Sequence, residues 1–135
     1  MTQPNEILIG LGGGDRVSIR VTGERNEWRG AEIEVHCDGW NGRMRWNFMN
    51  GELRRFAQEI DALRRKLSGT AELNPLEPNL RLALTGDGKG HVRVDGTARI
   101  HFDTGTRLDF SFEIDQTFLA DIAQALSDAD RELYS

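Results

Sequence analysis

Between Arg107 and Leu126 the spacing of apolar residues changes from every second position to every third or fourth. Leu108, Phe110, Phe112 and Ile114 alternate with polar residues, as a strand with one buried face does. Phe118, Leu119, Ile122, Ala123 and Leu126 then recur as one face of a helix. Asp115 sits at the joint, where its carboxylate can accept the free N–H groups of the first helical turn and favour the positive end of the helix dipole. The same change occurs earlier in the chain. Met44, Trp46 and Phe48 alternate, Asn50 can cap, and Leu53, Phe56, Ala57, Ile60, Leu63 and Leu67 follow at helical spacing. The pattern therefore predicts strands, a helix, strands and a second helix.

Turn chemistry predicts how the strands pair. Asn41-Gly42 is a strong signal for a two-residue hairpin, because both residues tolerate positive φ. A turn there sets Trp40 opposite Arg43, Asp38 opposite Arg45, Cys37 opposite Trp46 and Val35 opposite Phe48, with apolar pairs on one face and acid–base pairs on the other. Asp103-Thr104-Gly105, read as a three-residue bulged loop, sets Ile100 opposite Leu108, Ala98 opposite Phe110, Gly96 opposite Phe112, Val94 opposite Ile114 and Arg99 opposite Asp109. A loop at Gly86–Gly90 pairs Leu84 with Val92 and Leu82 with Val94, so that Arg81 faces Asp95 and Asp95 neighbours Glu113. The result is an outer ladder of mixed charges. The first hairpin, Glu6–Leu11 and Arg16–Gly23 around Gly12-Gly13-Gly14, allows two registers. The expected fold class is α+β, a single domain over residues 1–135. It has about seven strands in a mostly antiparallel meander sheet, in the order ββββαβββα, with both helices on the apolar face and the polar face toward solvent. Asn74-Pro75-Leu76-Glu77-Pro78 is a stiff surface connection between the halves, too short to link domains.

Composition narrows the function classes. With 135 residues and 38% apolar content, the chain suits one globular core that buries roughly two thirds of the extended-chain surface. The first residues have neither a basic start nor an apolar signal core, and no apolar run approaches the roughly 20 residues of a membrane helix, so no membrane role is expected. Cys37 is the only cysteine, so an intramolecular disulfide is impossible and a reducing cytoplasm is the expected location. The net charge of −5 is unevenly shared: residues 1–67 carry 11 basic and 10 acidic groups, residues 68–135 only 6 basic and 12 acidic. The acidic half repels phosphate backbones, which argues against nucleic acid and for a basic protein partner. Arg54, Arg55, Arg64, Arg65 and Lys66 avoid the apolar stripe of the first helix and read as its solvated face.

No motif resolves into a catalytic centre. Asp103-Thr104-Gly105-Thr106 matches the aspartic-protease triplet, but that fold returns through an apolar segment ending in glycine, and no glycine follows Gly105. Gly10-Leu11-Gly12-Gly13-Gly14 would cradle phosphate only if it opened a helix, whereas Arg16–Val21 reads as strand. Gly86-Asp87-Gly88-Lys89-Gly90 lacks the spacing and the following Ser or Thr of a Walker loop. His36, Cys37 and Asp38 are consecutive; on a strand they point to alternate faces and cannot share a metal, and Cys37 reads as a small core residue. No metal, cofactor or catalytic residue is expected. Trp40, on the outer face over Arg43, and Trp28, in the polar loop Glu24–Gly30, are the aromatic residues hardest to place inside. They serve as a lid or as anchors for a protein partner.

Several segments together resemble a known family. They are Trp28 before an alternating strand, the Gly39-Trp40-Asn41-Gly42 turn, Phe56 in a helix ending Leu67-Ser68-Gly69-Thr70-Ala71, Glu77, Gly86-Asp87-Gly88-Lys89-Gly90-His91, and the run from Leu108 to Leu119 containing Asp115-Gln116-Thr117. From about Trp28 to Leu126 the chain is similar to the WapI-type immunity proteins, small bacterial cytoplasmic proteins named for protecting a cell from a sibling's contact-delivered toxin. The resemblance implies a non-enzymatic binder that occludes the toxic C-terminal domain of a large surface protein, commonly a nuclease. It carries over no catalytic residue. An acidic protein suits such a partner through charge complementarity. The expected contact surface is the exposed sheet face with its adjoining loops: Trp28, Asp38, Trp40, Asp95, Asp109 and Glu113. Two other classes remain open: a small-molecule-binding or enzymatic α+β domain, and a structural or oligomerising module. Oligomeric state is not fixed by the sequence.

Overall fold

The computed structural model describes residues 6–11, 13–25, 28–101 and 105–132, with no account of the side chains of 23–25 and 130–132. Four strands, β1 (Glu6–Gly10), β2 (Arg16–Arg25), β3 (Trp28–Cys37) and β4 (Trp40–Met49), lead into helix α1 (Glu52–Lys66). Four more, β5 (Ser68–Leu73), β6 (Leu80–Asp87), β7 (His91–Arg99) and β8 (Arg107–Asp115), lead through a 3₁₀ turn at Gln116–Phe118 into α2 (Leu119–Glu132). The predicted order of strands, helix, strands, helix is present, with β5 added where the helix of residues 53–67 was expected to run out. Leu67 caps α1 in the left-handed region at φ 62°, its N–H donating to the Leu63 carbonyl at 2.7 Å. The chain then turns directly into β5.

The strands form two four-stranded antiparallel sheets, β1-β2-β3-β4 and β5-β6-β7-β8, not the single seven-stranded sheet expected. Alternation of apolar and polar residues decides which face of a strand is buried but not which strand lies beside it. Here β5 pairs with β6 and not with β4. The inner faces of both sheets and the apolar stripes of α1 and α2 share one core, which includes Ile19, Ile33, Trp46, Phe56, Leu84 and Leu126. Helix α1 packs against α2 and β5, and α2 packs against β1.

Observed registers differ from those expected, by even numbers of residues. The β3–β4 turn is at Asp38-Gly39, both with positive φ (51° and 86°), so Cys37 faces Trp40, Glu34 faces Arg43, Ile33 faces Met44 and Ala31 faces Trp46. Each β3 residue thus meets a β4 residue six positions earlier than expected. In the second sheet Ala98 faces Leu108, Gly96 faces Phe110, Val94 faces Phe112 and Thr97 faces Asp109, while Leu84 faces Val94 and Ala83 faces Asp95. Here the slip is two. Because side chains alternate with period two, even slips keep the buried residues buried and reassign only their neighbours. In the first hairpin Gly10 pairs with Arg16, settling the open register.

Two local expectations are corrected. Asn50 does not cap α1. Gly51 holds that position at φ 91°, Glu52 Oε1 accepts from Met49 N at 2.6 Å, and Asn50 Oδ1 accepts from Arg29 Nε at 2.5 Å. Trp28 does not lie in a polar loop: β2 runs to Arg25 and β3 starts at Trp28. Asp115 does cap as expected, accepting from Thr117 N at 2.9 Å. The 74–78 connection is tied down by Trp46 Nε1 donating to the Glu77 carbonyl at 2.9 Å and by Leu76 N donating to Glu52 Oε2 at 2.8 Å.

Candidate interaction surface

The polar face of the second sheet is built by the odd-numbered residues of β7 and β8, whose even-numbered neighbours Val92, Val94, Phe110, Phe112 and Ile114 are buried. Arg93, Asp95 and Thr97 stand beside Asp109, Ser111 and Glu113. Arg93 Nε lies 3.0 Å from Asp95 Oδ1, and Arg107 Nη2 lies 2.7 Å from Asp109 Oδ2, which also places Asp109 within 3.2 Å of the donating Thr97 hydroxyl. The Arg107 guanidinium, by hydrogen bonding to it, holds the Asp109 carboxyl below the usual carboxylate range. An open concavity of about 640 Å³ runs across this face, lined by Glu72, Arg81, Asp95, Thr97, Asp109 and Ser111 among others.

The six residues expected to bind a partner divide between the sheets. Asp95 and Asp109 meet in the concavity, and Glu113 lies on the same face opposite Arg93, its Oε1 4.0 Å from His91 Nδ1. Asp95 faces Ser111 and not Glu113, and Arg81 faces Thr97 and not Asp95, so the expected charge ladder is re-paired by the two-residue slip. Trp28 is half-buried on the outer face of the first sheet, in line with Glu32 and Glu34. Asp38 occupies the turn, on neither face. Trp40 is not on the outer face. Moving the turn by three residues transfers it to β4 with the parity of Trp46 and Phe48, and it projects past the core, 71% exposed.

The turn also corrects the expectation for Cys37 and Asp38. With Asp38 in a left-handed conformation its carboxylate folds back beside the thiol, Sγ to Oδ2 3.8 Å, and the ligand atoms of Asp15, Cys37 and Asp38 lie within 4.8 Å of one another. His36 is elsewhere, its Nε2 3.7 Å from Glu34. Asp38 N donates to Asp15 Oδ1 at 3.1 Å, and Cys37 Sγ donates to the Ser111 carbonyl at 3.4 Å. Burial pushes the Cys37 thiol up, away from the thiolate that nucleophiles and metal ligands require. Cys37 is a core residue, 5% exposed, as expected.

The other tempting motifs are structural. Asp87 Oδ1 accepts from Lys89 N at 2.6 Å and from His91 N at 3.1 Å, closing the β6–β7 loop. Gly90 O accepts from Gln116 N at 2.9 Å, so the Gly86–His91 loop and the Asp115-Gln116-Thr117 joint form one corner. Gly10 to Gly14 leads into strand β2, not a helix. Of the Asp103-Thr104-Gly105 triplet, Asp103 and Thr104 lie outside the described residues. β7 ends at Arg99 and β8 begins at Arg107. Among the described residues no helix is long and apolar enough to cross a membrane. Residues that pattern alone did not reveal are Glu72 and Thr97 in the concavity, since β5 was not expected and Thr97 acquires its setting only through the observed register; Arg81 was expected on this face, with Asp95 as its partner.

A comparison with curated proteins gave no match. Among solved structures the fold is similar to that of Trypanosoma brucei MRP1/MRP2, with a TM-score of 0.55 and 9% sequence identity over 98% of this chain and 88% of that one. At that identity the likeness concerns the fold alone. The description of the immunity protein WapI-like family matches residues 7–133, nearly the whole length. The chain belongs to the WapI-like immunity protein family.

Proposed function

We propose that this protein is a non-enzymatic, cytoplasmic immunity protein that binds and neutralises the toxic domain of a contact-delivered toxin. The observation that carries the reading is the family match across residues 7–133. The polar face of the second sheet supports it as the contact surface. Asp95, Asp109 and Glu113 lie there on adjacent antiparallel strands, and a shallow concavity of about 640 Å³ suits a protruding element of a partner. Trp28 at the start of β3, and Asp38 and Trp40 at its other end, would add separate contacts on the first sheet.

A toxic domain of nuclease type carries the positive charge that an acidic binder meets through long-range attraction, which raises the association rate. The test begins with the gene's neighbourhood, where the reading requires a frame encoding a long secreted protein with a toxic C-terminal domain, and continues with co-expression of that domain. Growth is restored by this chain and not by an unrelated acidic protein; continued killing with the protein present and folded would refute the reading.

A further inference from the structure

The first sheet ends in β4, and among the described residues no backbone–backbone hydrogen bond joins its outer edge to another element. An unpaired edge offers a row of N–H and C=O groups to an incoming strand. Along β4 the outer face carries Asn41, Arg43, Arg45 and Asn47, two cations and no carboxylate. The inner side near the turn is apolar and incompletely covered: Trp40 is 71% exposed and Met44 half-buried. Beside Met44 a cleft of about 110 Å³ opens between the sheets, walled by Ile33, Val35, Ala98, Ile100 and Leu108, with Ile100 58% exposed. A space of that size is too small for a typical ligand site of about 300 Å³ or more and fits a single side chain. Arg43 and Arg99 are the charged residues in its lining, among those described.

We propose that β4 is a docking edge for an extended segment of a protein partner in which apolar residues alternate with acidic ones. Strand addition fixes this alternation. One set of side chains lies beside Trp40 and Met44 and enters the cleft; the other meets Arg43 and Arg45, where opposite charges on neighbouring strands attract. Arg43 is ion-paired to Glu34, its neighbour on β3, and its side chain remains 75% exposed. Edge cations also discourage indiscriminate pairing of like edges, which is compatible with selective admission of an acidic strand. The inference goes beyond the toxin reading, because it concerns the β4 edge and an acidic segment and shares only Trp40 with the surface proposed there.

The probe is a synthetic ten-residue peptide with Glu at alternate positions, one Leu and one Val among the intervening threonines, titrated into the isotopically labelled full chain. The expected result is saturable shifts at Asn41–Arg45, Ile100 and Leu108. The Arg43→Gln/Arg45→Gln variant should bind roughly tenfold more weakly, and replacing Glu by Lys should abolish binding. N-methylating one set of alternate peptide amides should abolish binding and methylating the other set should not, because a strand pairs through only one edge. Shifts confined to other regions, equal binding of the Lys peptide, or tolerance of both methylation patterns would overturn the proposal. Concentration-dependent self-association of the unliganded chain through β4, seen by light scattering and the same shifts, would replace it with a contact between copies.

Discussion

Gly96 and Phe110 show how one residue governs a strand pair. A Cβ built on Gly96 would lie 2.2 Å from Phe110 Cζ, because the far end of the ring of this cross-strand neighbour reaches over the glycine. Gly96→Ala must displace the ring from a packed site, and should lower stability by about 1–3 kcal/mol. In a double-mutant cycle with Phe110→Leu, urea unfolding should show the two changes to be non-additive, since the smaller side chain relieves the clash. A similar dependence holds at Arg29, 2% exposed on the inner face of β3, whose Nε donates to Asn50 Oδ1. Asn50→Ala removes a hydrogen bond to a buried charge and should cost about 1.5–3 kcal/mol, measured in the same way. Neither dependence is readable from alternation: Arg29 looks like a polar residue on a strand, and Asn50 looks like a helix cap.

At the level of elements, the corner between the β6–β7 loop and the start of α2 rests on two aspartates. Backbone donors hold both carboxyls below the ordinary range, Lys89 and His91 N–H acting on Asp87 and Thr117 N–H on Asp115. A carboxyl whose pKa is lower folded than unfolded stabilises fully above the unfolded value of about 3.9 and loses that contribution as pH falls through the folded value. Thermal stability should therefore fall on acidification below about pH 4. The Asp87→Asn/Asp115→Asn variant, which keeps an acceptor at each site, should show a shallower fall when melting temperature is followed against pH. An unchanged slope would remove these two groups from the acid limb. Helices and their starting points were legible because apolar spacing shifts visibly at Leu53 and at Phe118, and Asp115 has the chemistry its place demands. The β3–β4 turn was not, because Asp38-Gly39 and Asn41-Gly42 are both turn signals three residues apart. Either choice leaves Val35, Trp46 and Phe48 inside, so facial alternation could not decide between them.

Across the whole molecule, alternation placed most of the core residues but not Ile100 or Leu67, which are exposed, and it failed to count sheets, since lateral neighbours depend on chain path and not on facial pattern. Strand β5 was missed because only Ala71 and Leu73 turn inward in it and the helical spacing of Leu67 masks its start. The candidate surface was legible residue by residue at Asp95, Asp109 and Glu113. Its concavity was not, because Glu72, Arg81 and Thr97 converge only when two separate hairpins pair. The central claim is that this polar face grips a toxic domain. Its most direct test is the affinity of the folded chain for a cognate toxic domain, identified by rescue of growth on co-expression, compared with that of an Asp95→Lys/Asp109→Lys/Glu113→Lys variant whose fold is verified by circular dichroism. The account predicts a loss of about a hundredfold or more, concentrated at low salt in the association rate. Equal affinity of the two proteins would contradict it.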